Sequence, residues 1–168
     1  MATAFETAGI GAGDRVAILM GNQSKWLIAA YAAFYRGAIV VPVDYKLTAD
    51  EQRALLAHAK PKALVVEHQL WERAKSFDVP LVYITEAPDL TRLPLPNATQ
   101  TVTRWDAIPS RLEWGEPTFV PRTRDDVATI VYSSGTGGTP KGCMLTHGNY
   151  LAQYDALIAL YPLGEGHR

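Results

Sequence analysis

Cysteine is nearly missing from this sequence. Cys143 is the only one in 168 residues, so no disulfide can form within the chain, and a reducing compartment, the cytoplasm, is expected. An excess of charge of one sign is missing too: Lys and Arg number 16 against 17 Asp and Glu, for a formal net charge of -1. With no basic run either, the electrostatic footprint of a nucleic-acid binder is absent. No apolar run is long enough for a membrane span, which needs about 20 consecutive residues. The nearest window, Trp26 to Val43, is broken by Arg36, Gly37 and Pro42. The opening "MATAFETAGIGAGD" has neither the positive leader nor the apolar stretch of a signal peptide. Internal repeats and low-complexity tracts are also lacking. At 48% hydrophobic and 20% charged, the composition is that of a globular chain with a core.

What the sequence does have is alternation. Short apolar runs predict strands at Val16–Met20, Ile39–Val43, Ala63–Val66, Leu81–Ile84 and Ala128–Tyr132. Helical patterns lie between them. "KWLIAAYAAFYR" follows Ser24 as a candidate N-cap and stops at Gly37. "LTADEQRALLAHAKP" carries Thr48 and Glu51 at capping-box spacing, and "HQLWERAKSF" is shorter. Trp26, Tyr31, Phe34 and Tyr35 recur at helical spacing and are read as core. The order predicts an α/β fold, a mainly parallel sheet flanked by helices, as a single domain over residues 1–168. Within it, 86–121 reads as a proline-rich surface excursion without periodicity. A sequon at Asn97 has no supporting sign of secretion.

The fifth predicted strand runs directly into "YSSGTGGTPKGCMLTHGN", Tyr132 to Asn149. Gly135, Gly137 and Gly138 let the backbone turn its N–H groups toward a ligand, forming an anion-binding nest. Ser133, Ser134, Thr136 and Thr139 add hydroxyls, and Lys141 adds a mobile positive charge. The set suits a polyphosphate, and a loop leaving the carboxyl end of a strand is where open α/β sheets gather ligands. A Walker A loop requires G-x-x-x-x-G-K-S/T, but here Pro140 precedes the lysine and Gly142 follows it. The dinucleotide fingerprint fails because Pro140 occupies the third glycine position and Asp155 falls inside a predicted helix. That helix, capped by Thr146, places Leu151, Tyr154, Leu157, Ile158 and Tyr161 at helical spacing. His147 has no neighbouring carboxylate and reads as a helix-start residue. Cys143, between Gly142 and Met144, reads as a small core residue.

The loop resembles the signature of the adenylate-forming (AMP-binding) superfamily, Y/F-T/S-S-G-S/T-T-G-x-P-K-G. It matches at Tyr132, Ser133, Ser134, Gly135, Thr136, Gly138, Pro140, Lys141 and Gly142, with Gly137 where threonine is usual. An upstream block, "GDRVAILMGNQSKWLIAAYAAFYRGAIVVPVDYKLTADE", is similar to that superfamily's early segment in order and separation. The resemblance implies an ATP-dependent acid-thiol ligase of acyl-CoA synthetase type that makes an acyl-adenylate and passes the acyl group to CoA. The "MLTHGN" ending is closer to the fatty-acyl and aryl CoA ligases. Implied partners are a small carboxylic acid, ATP with Mg2+, and CoA. Ser133, Ser134, Gly135, Thr136, Gly137, Gly138, Thr139 and Lys141 would be the phosphate-binding set. The superfamily's adenine, ribose and magnesium residues and its catalytic lysine would lie beyond Arg168. The chain is therefore expected to be part of a larger AMP-binding domain, inactive alone, with no catalytic residue or metal ligand assignable within it. The competing reading is a complete, non-catalytic nucleotide- or phosphate-binding module.

Overall fold

Along the central strand, alternate residues face opposite sides of the molecule. In β1 (Arg15–Leu19), Ala17 and Leu19 join one buried cluster while Val16 and Ile18 join another, the two-residue period of a strand covered on both faces. The structure, a computed structural model, describes residues 1–87, 96, 99–108, 115–133 and 140–161. Strand β2 (Ile39–Pro42) lies on one side of β1 and β3 (Ala63–Glu67) on the other. Beyond β3 come β4 (Leu81–Thr85) and β5 (Thr101–Arg104). Beyond β2 come β6 (Val127–Ser133) and β7 (Lys141–Thr146). Every neighbouring pair is parallel except β6 with β7. The mainly parallel sheet expected from the alternation is present.

Helices α1 (Ala2–Thr7) and α2 (Ser24–Tyr35) cover the Val16–Ile18 face through Phe5, Ala29 and Ala33. Alanines along the buried side of α2 let it lie close to the strands. Its end is closed by a Schellman motif: Gly37, at φ +69°, donates to the Phe34 carbonyl at 2.9 Å, and Ala38 donates to that of Ala33 at 2.9 Å. On the other face, α3 (Ala49–Ala59) buries Leu55, Leu56 and Ala59, and the single-turn α4 (Trp71–Ala74) buries Trp71. The predicted capping box is formed, with Glu51 N–H donating to Thr48 Oγ1 and Thr48 N–H to Glu51 Oε2. The last helix, α5 (His147–Leu160), follows β7 directly. Among the described residues, no helix is long and apolar enough to cross a membrane.

Several local expectations need correction. The N-cap of α2 is Gln23, not Ser24, and it makes no side-chain capping bond. The helix expected over His68–Phe77 is a 3-10 turn, His68–Leu70, followed by α4. The two strands not anticipated, β5 and β7, are the sheet's edges. Edge strands carry little buried surface, so their sequences lack the apolar run that marks the inner strands. β5 lies within residues 86–121, and that stretch is pinned at its far end, where Val120 N–H donates to the Tyr35 carbonyl at 2.9 Å. Asn97 lies outside the described residues. Of the α2 aromatics read as core, Trp26 and Phe34 are partly buried, but Tyr31 is 64% and Tyr35 38% exposed.

Candidate phosphate-binding site

Strand β6 joins the sheet through β2, with Val40 opposite Thr129, and runs parallel to the inner strands. Its end therefore sits with the carboxyl ends of the sheet, the ligand-gathering edge of open α/β folds. β7 returns antiparallel, placing Tyr132 opposite Gly142 and Ser133 opposite Lys141. Directly opposed residues of an antiparallel pair share a face, with Cβ atoms about 4.5–5.5 Å apart. Two of the sequence-predicted residues, Ser133 and Lys141, thus stand opposite each other at the neck of the loop, both exposed. Ser134, Gly135, Thr136, Gly137, Gly138 and Thr139 lie outside the described residues. Lys141 forms no ion pair among the described residues, which leaves its charge available to an anion.

Tyr132, first residue of the signature, is half-buried against the α3-side core. Burial pushes its phenol up, with the Arg15 guanidinium pulling the other way. The phenol therefore stays protonated at neutral pH and can donate a hydrogen bond.

The "LTHGN" ending is a helix start. Asn149 N–H donates to Thr146 Oγ1 at 3.2 Å and Thr146 N–H to Asn149 Oδ1 at 2.9 Å, a capping box built with asparagine. His147 is the first residue of α5, its ring edge-on to Phe34 with centroids 5.8 Å apart, a packing role. The turn that seats this helix had no signal in the sequence. His147 N–H donates to the Asp126 carbonyl at 3.0 Å, and Gly148 N–H to that of Arg124 at 2.7 Å. Asp126 accepts from Thr123 N–H at 2.6 Å and pairs with Arg122 at 2.8 Å. The Thr123 hydrogen bonds, followed by weaker pulls from Arg122 and His147, hold its carboxyl below the usual range. Thr129 Oγ1 and Tyr150 Oη, 2.9 Å apart, tie α5 back to β6.

Cys143 is exposed, which corrects its reading as a core residue. It lies on the edge strand opposite Val131, itself 40% exposed, and no further strand covers it among the described residues. An apolar groove of about 470 Å³ separates α2 from α5, lined by Trp26, Leu27, Phe34, Leu151 and Tyr154, with Arg122 on its wall.

The family model described as AMP-binding enzyme matches residues 1–167. YdaB of Bacillus subtilis (strain 168) is 34% identical over 166 residues, covering 95% of this chain and 31% of that protein. The peroxisomal long chain acyl-CoA synthetase 7 of Arabidopsis thaliana is 31% identical over 150 residues, covering 86% and 21%. Among solved structures, the acetoacetyl-CoA synthetase of Streptomyces lividans superposes with a TM-score of 0.81 at 20% identity, covering 99% of this chain and 27% of that one. That likeness is one of fold. The chain spans about a third or less of the length of these relatives.

Proposed function

The chain belongs to the AMP-binding enzyme family, and we propose that it is part of an ATP-dependent ligase that activates a carboxylic acid as its acyl-adenylate and transfers the acyl group to CoA. The acid would be fatty or aryl, in keeping with the "MLTHGN" ending, and the enzyme cytoplasmic. In the first half-reaction a carboxylate oxygen attacks the α-phosphorus, the bond from that phosphorus to the bridging oxygen breaks, and pyrophosphate departs with the negative charge. In the second, the thiol sulfur attacks the acyl carbon, the bond from that carbon to the phosphate oxygen breaks, and AMP leaves as the thiol proton passes to solvent.

This chain's part is electrostatic. Ser133 and Lys141, with the loop from 134 to 139 between them, would hold the β- and γ-phosphates so that donors are already in place as charge develops on the leaving group. Mg2+, carried on the triphosphate, would neutralise further charge. Among the described residues no three His, Cys, Asp or Glu side chains gather to hold a metal of their own. The observation that supports this reading best is the placement of Lys141 opposite Ser133 at the carboxyl edge of the sheet. Acid-dependent exchange of labelled pyrophosphate into ATP, measured on the chain joined to the rest of an AMP-binding domain and lost with Lys141→Ala, is the expected result. Exchange that ignores Lys141→Ala would overturn the assignment. The 168-residue chain alone should show none.

A further inference from the structure

The neck of the candidate phosphate loop is poorly supported by the sheet itself. Beyond Thr129, β6 has only the end of β2 beside it, and β2 closes at Pro42, which has no N–H to donate. On the other side, β7 is the edge strand, with Lys141, Gly142, Cys143 and Met144 all exposed. Among the described residues, a side chain of α3 reaches this neck. His58, in the last turn of α3, places Nδ1 2.7 Å from Tyr132 Oη, and the two rings meet edge to face with centroids 5.6 Å apart at 88°. Among the described residues, this is the side-chain hydrogen bond that ties Tyr132 to the body of the fold. α3 is a firm anchor for it, with Leu55, Leu56 and Ala59 buried on either side and the capping box fixing its start. From the other side, Gly142 lets the Tyr132 ring come close to β7, because a Cβ there would stand 3.2 Å from Tyr132 Cζ.

We propose that His58 is a positioning residue for the neck of the candidate phosphate site: by holding Tyr132, it fixes the Ser133–Lys141 pair that would receive a polyphosphate. This rests on the phosphate-binding reading above. His58 touches no substrate; it removes freedom that a ligand would otherwise have to freeze out on binding, so its effect is on affinity through preorganisation. In this arrangement the phenol would donate and Nδ1 accept, with the ring proton on Nε2.

Inorganic tripolyphosphate, which offers phosphates and nothing else, is the probe. It is titrated by calorimetry against the wild-type chain and against Lys141→Ala, His58→Phe, Tyr132→Phe, the His58→Phe/Tyr132→Phe double variant and His58→Asn. Loss of one such hydrogen bond should weaken binding about two- to tenfold. The double variant should be no weaker than the worse single one, because both remove the same contact. His58→Asn, whose amide can stand near the Nδ1 position, should recover most of the loss, a rescue that a merely structural role would not require. Should His58→Phe fail to fold, the wild-type chain still decides through the ring 15N signals of His58. These should report the Nε2–H tautomer and move on adding tripolyphosphate. Binding that depends on Lys141 but is indifferent to His58→Phe, or His58 signals that stay fixed on saturation, would overturn the inference while leaving the phosphate site standing. Binding indifferent to Lys141→Ala would overturn both.

Discussion

Gly142 lies against Tyr132 across the β6–β7 ladder so closely that no side chain fits between them. A Cβ built on Gly142 would stand 2.8 Å from Ile130 Cγ2 and 3.2 Å from Tyr132 Cζ. The glycine after the signature lysine is therefore required by packing, since its backbone does not occupy the left-handed region. Gly142→Ala should destabilise the chain by about 1–3 kcal/mol, the range for forcing an extra carbon into a packed site. Gly11→Ala, where nothing lies within 4 Å, should stay within about 0.5 kcal/mol. Urea unfolding of both variants checks this, and equal midpoints would refute the packing argument.

Thr146 anchors the start of α5 through the capping box with Asn149. Replacing it with alanine should cost about 0.5–2 kcal/mol. Amide exchange should locate the loss in the first turn of α5, while α3, with its own cap at Thr48, stays protected. Uniform loss of protection across the chain would contradict a local capping role.

The pH dependence of the same junction follows from Asp126. Its folded pKa is depressed, first by the Thr123 hydrogen bonds and then by Arg122 and His147. A depressed carboxyl contributes stability above its unfolded pKa, about 3.9, and that contribution disappears as pH falls through the lower folded value. Asp126→Asn should thus be less stable than wild type at neutral pH, and the gap should close below about pH 4. Thermal midpoints of both proteins across this range provide the measurement. A gap constant with pH would contradict the assignment.

The inner strands were legible in the sequence because burial on both faces writes an uninterrupted apolar run, as in "RVAIL" and "ALVVE". The capping box of α3 was legible because two residues at fixed spacing suffice. β5 and β7 were not, because an edge strand such as "KGCMLT" carries glycine, lysine and exposed side chains that a loop would also carry. The same edge position accounts for the exposure of Cys143, despite its apolar neighbours. At the candidate site, Ser133 and Lys141 were singled out by residue type and order. Their direct opposition depends on the β6–β7 register, which the sequence does not display. The His58–Tyr132 contact joins residues 74 positions apart and leaves no local pattern at all.

The exposed sides of α2 and α5 carry a further consequence. Leu27, Tyr31 and Tyr154 are each between 52% and 64% exposed, and they line the apolar groove between α2 and α5. Contiguous apolar surface of this kind recruits hydrophobic probes. The chain should enhance the fluorescence of an anilinonaphthalene dye, and replacing Leu27 and Tyr154 with serine should reduce the signal at least by about half while leaving the fold intact. An unaltered signal would show that the groove is not the dye site.

Competition at the loop itself tests the central claim most directly. If this chain contributes phosphate contacts alone, each worth roughly 1.5–3 kcal/mol when charge-assisted against an association cost of about 4–15 kcal/mol, MgATP should bind it with a dissociation constant on the order of millimolar. Calorimetric titration of MgATP, in the presence of tripolyphosphate or of AMP, separates the phosphate contribution from that of the base. Tripolyphosphate should compete, AMP should not, and Lys141→Ala should weaken MgATP about tenfold or more. Micromolar binding in which AMP competes as well as tripolyphosphate, with Lys141→Ala indistinguishable from wild type, would contradict it.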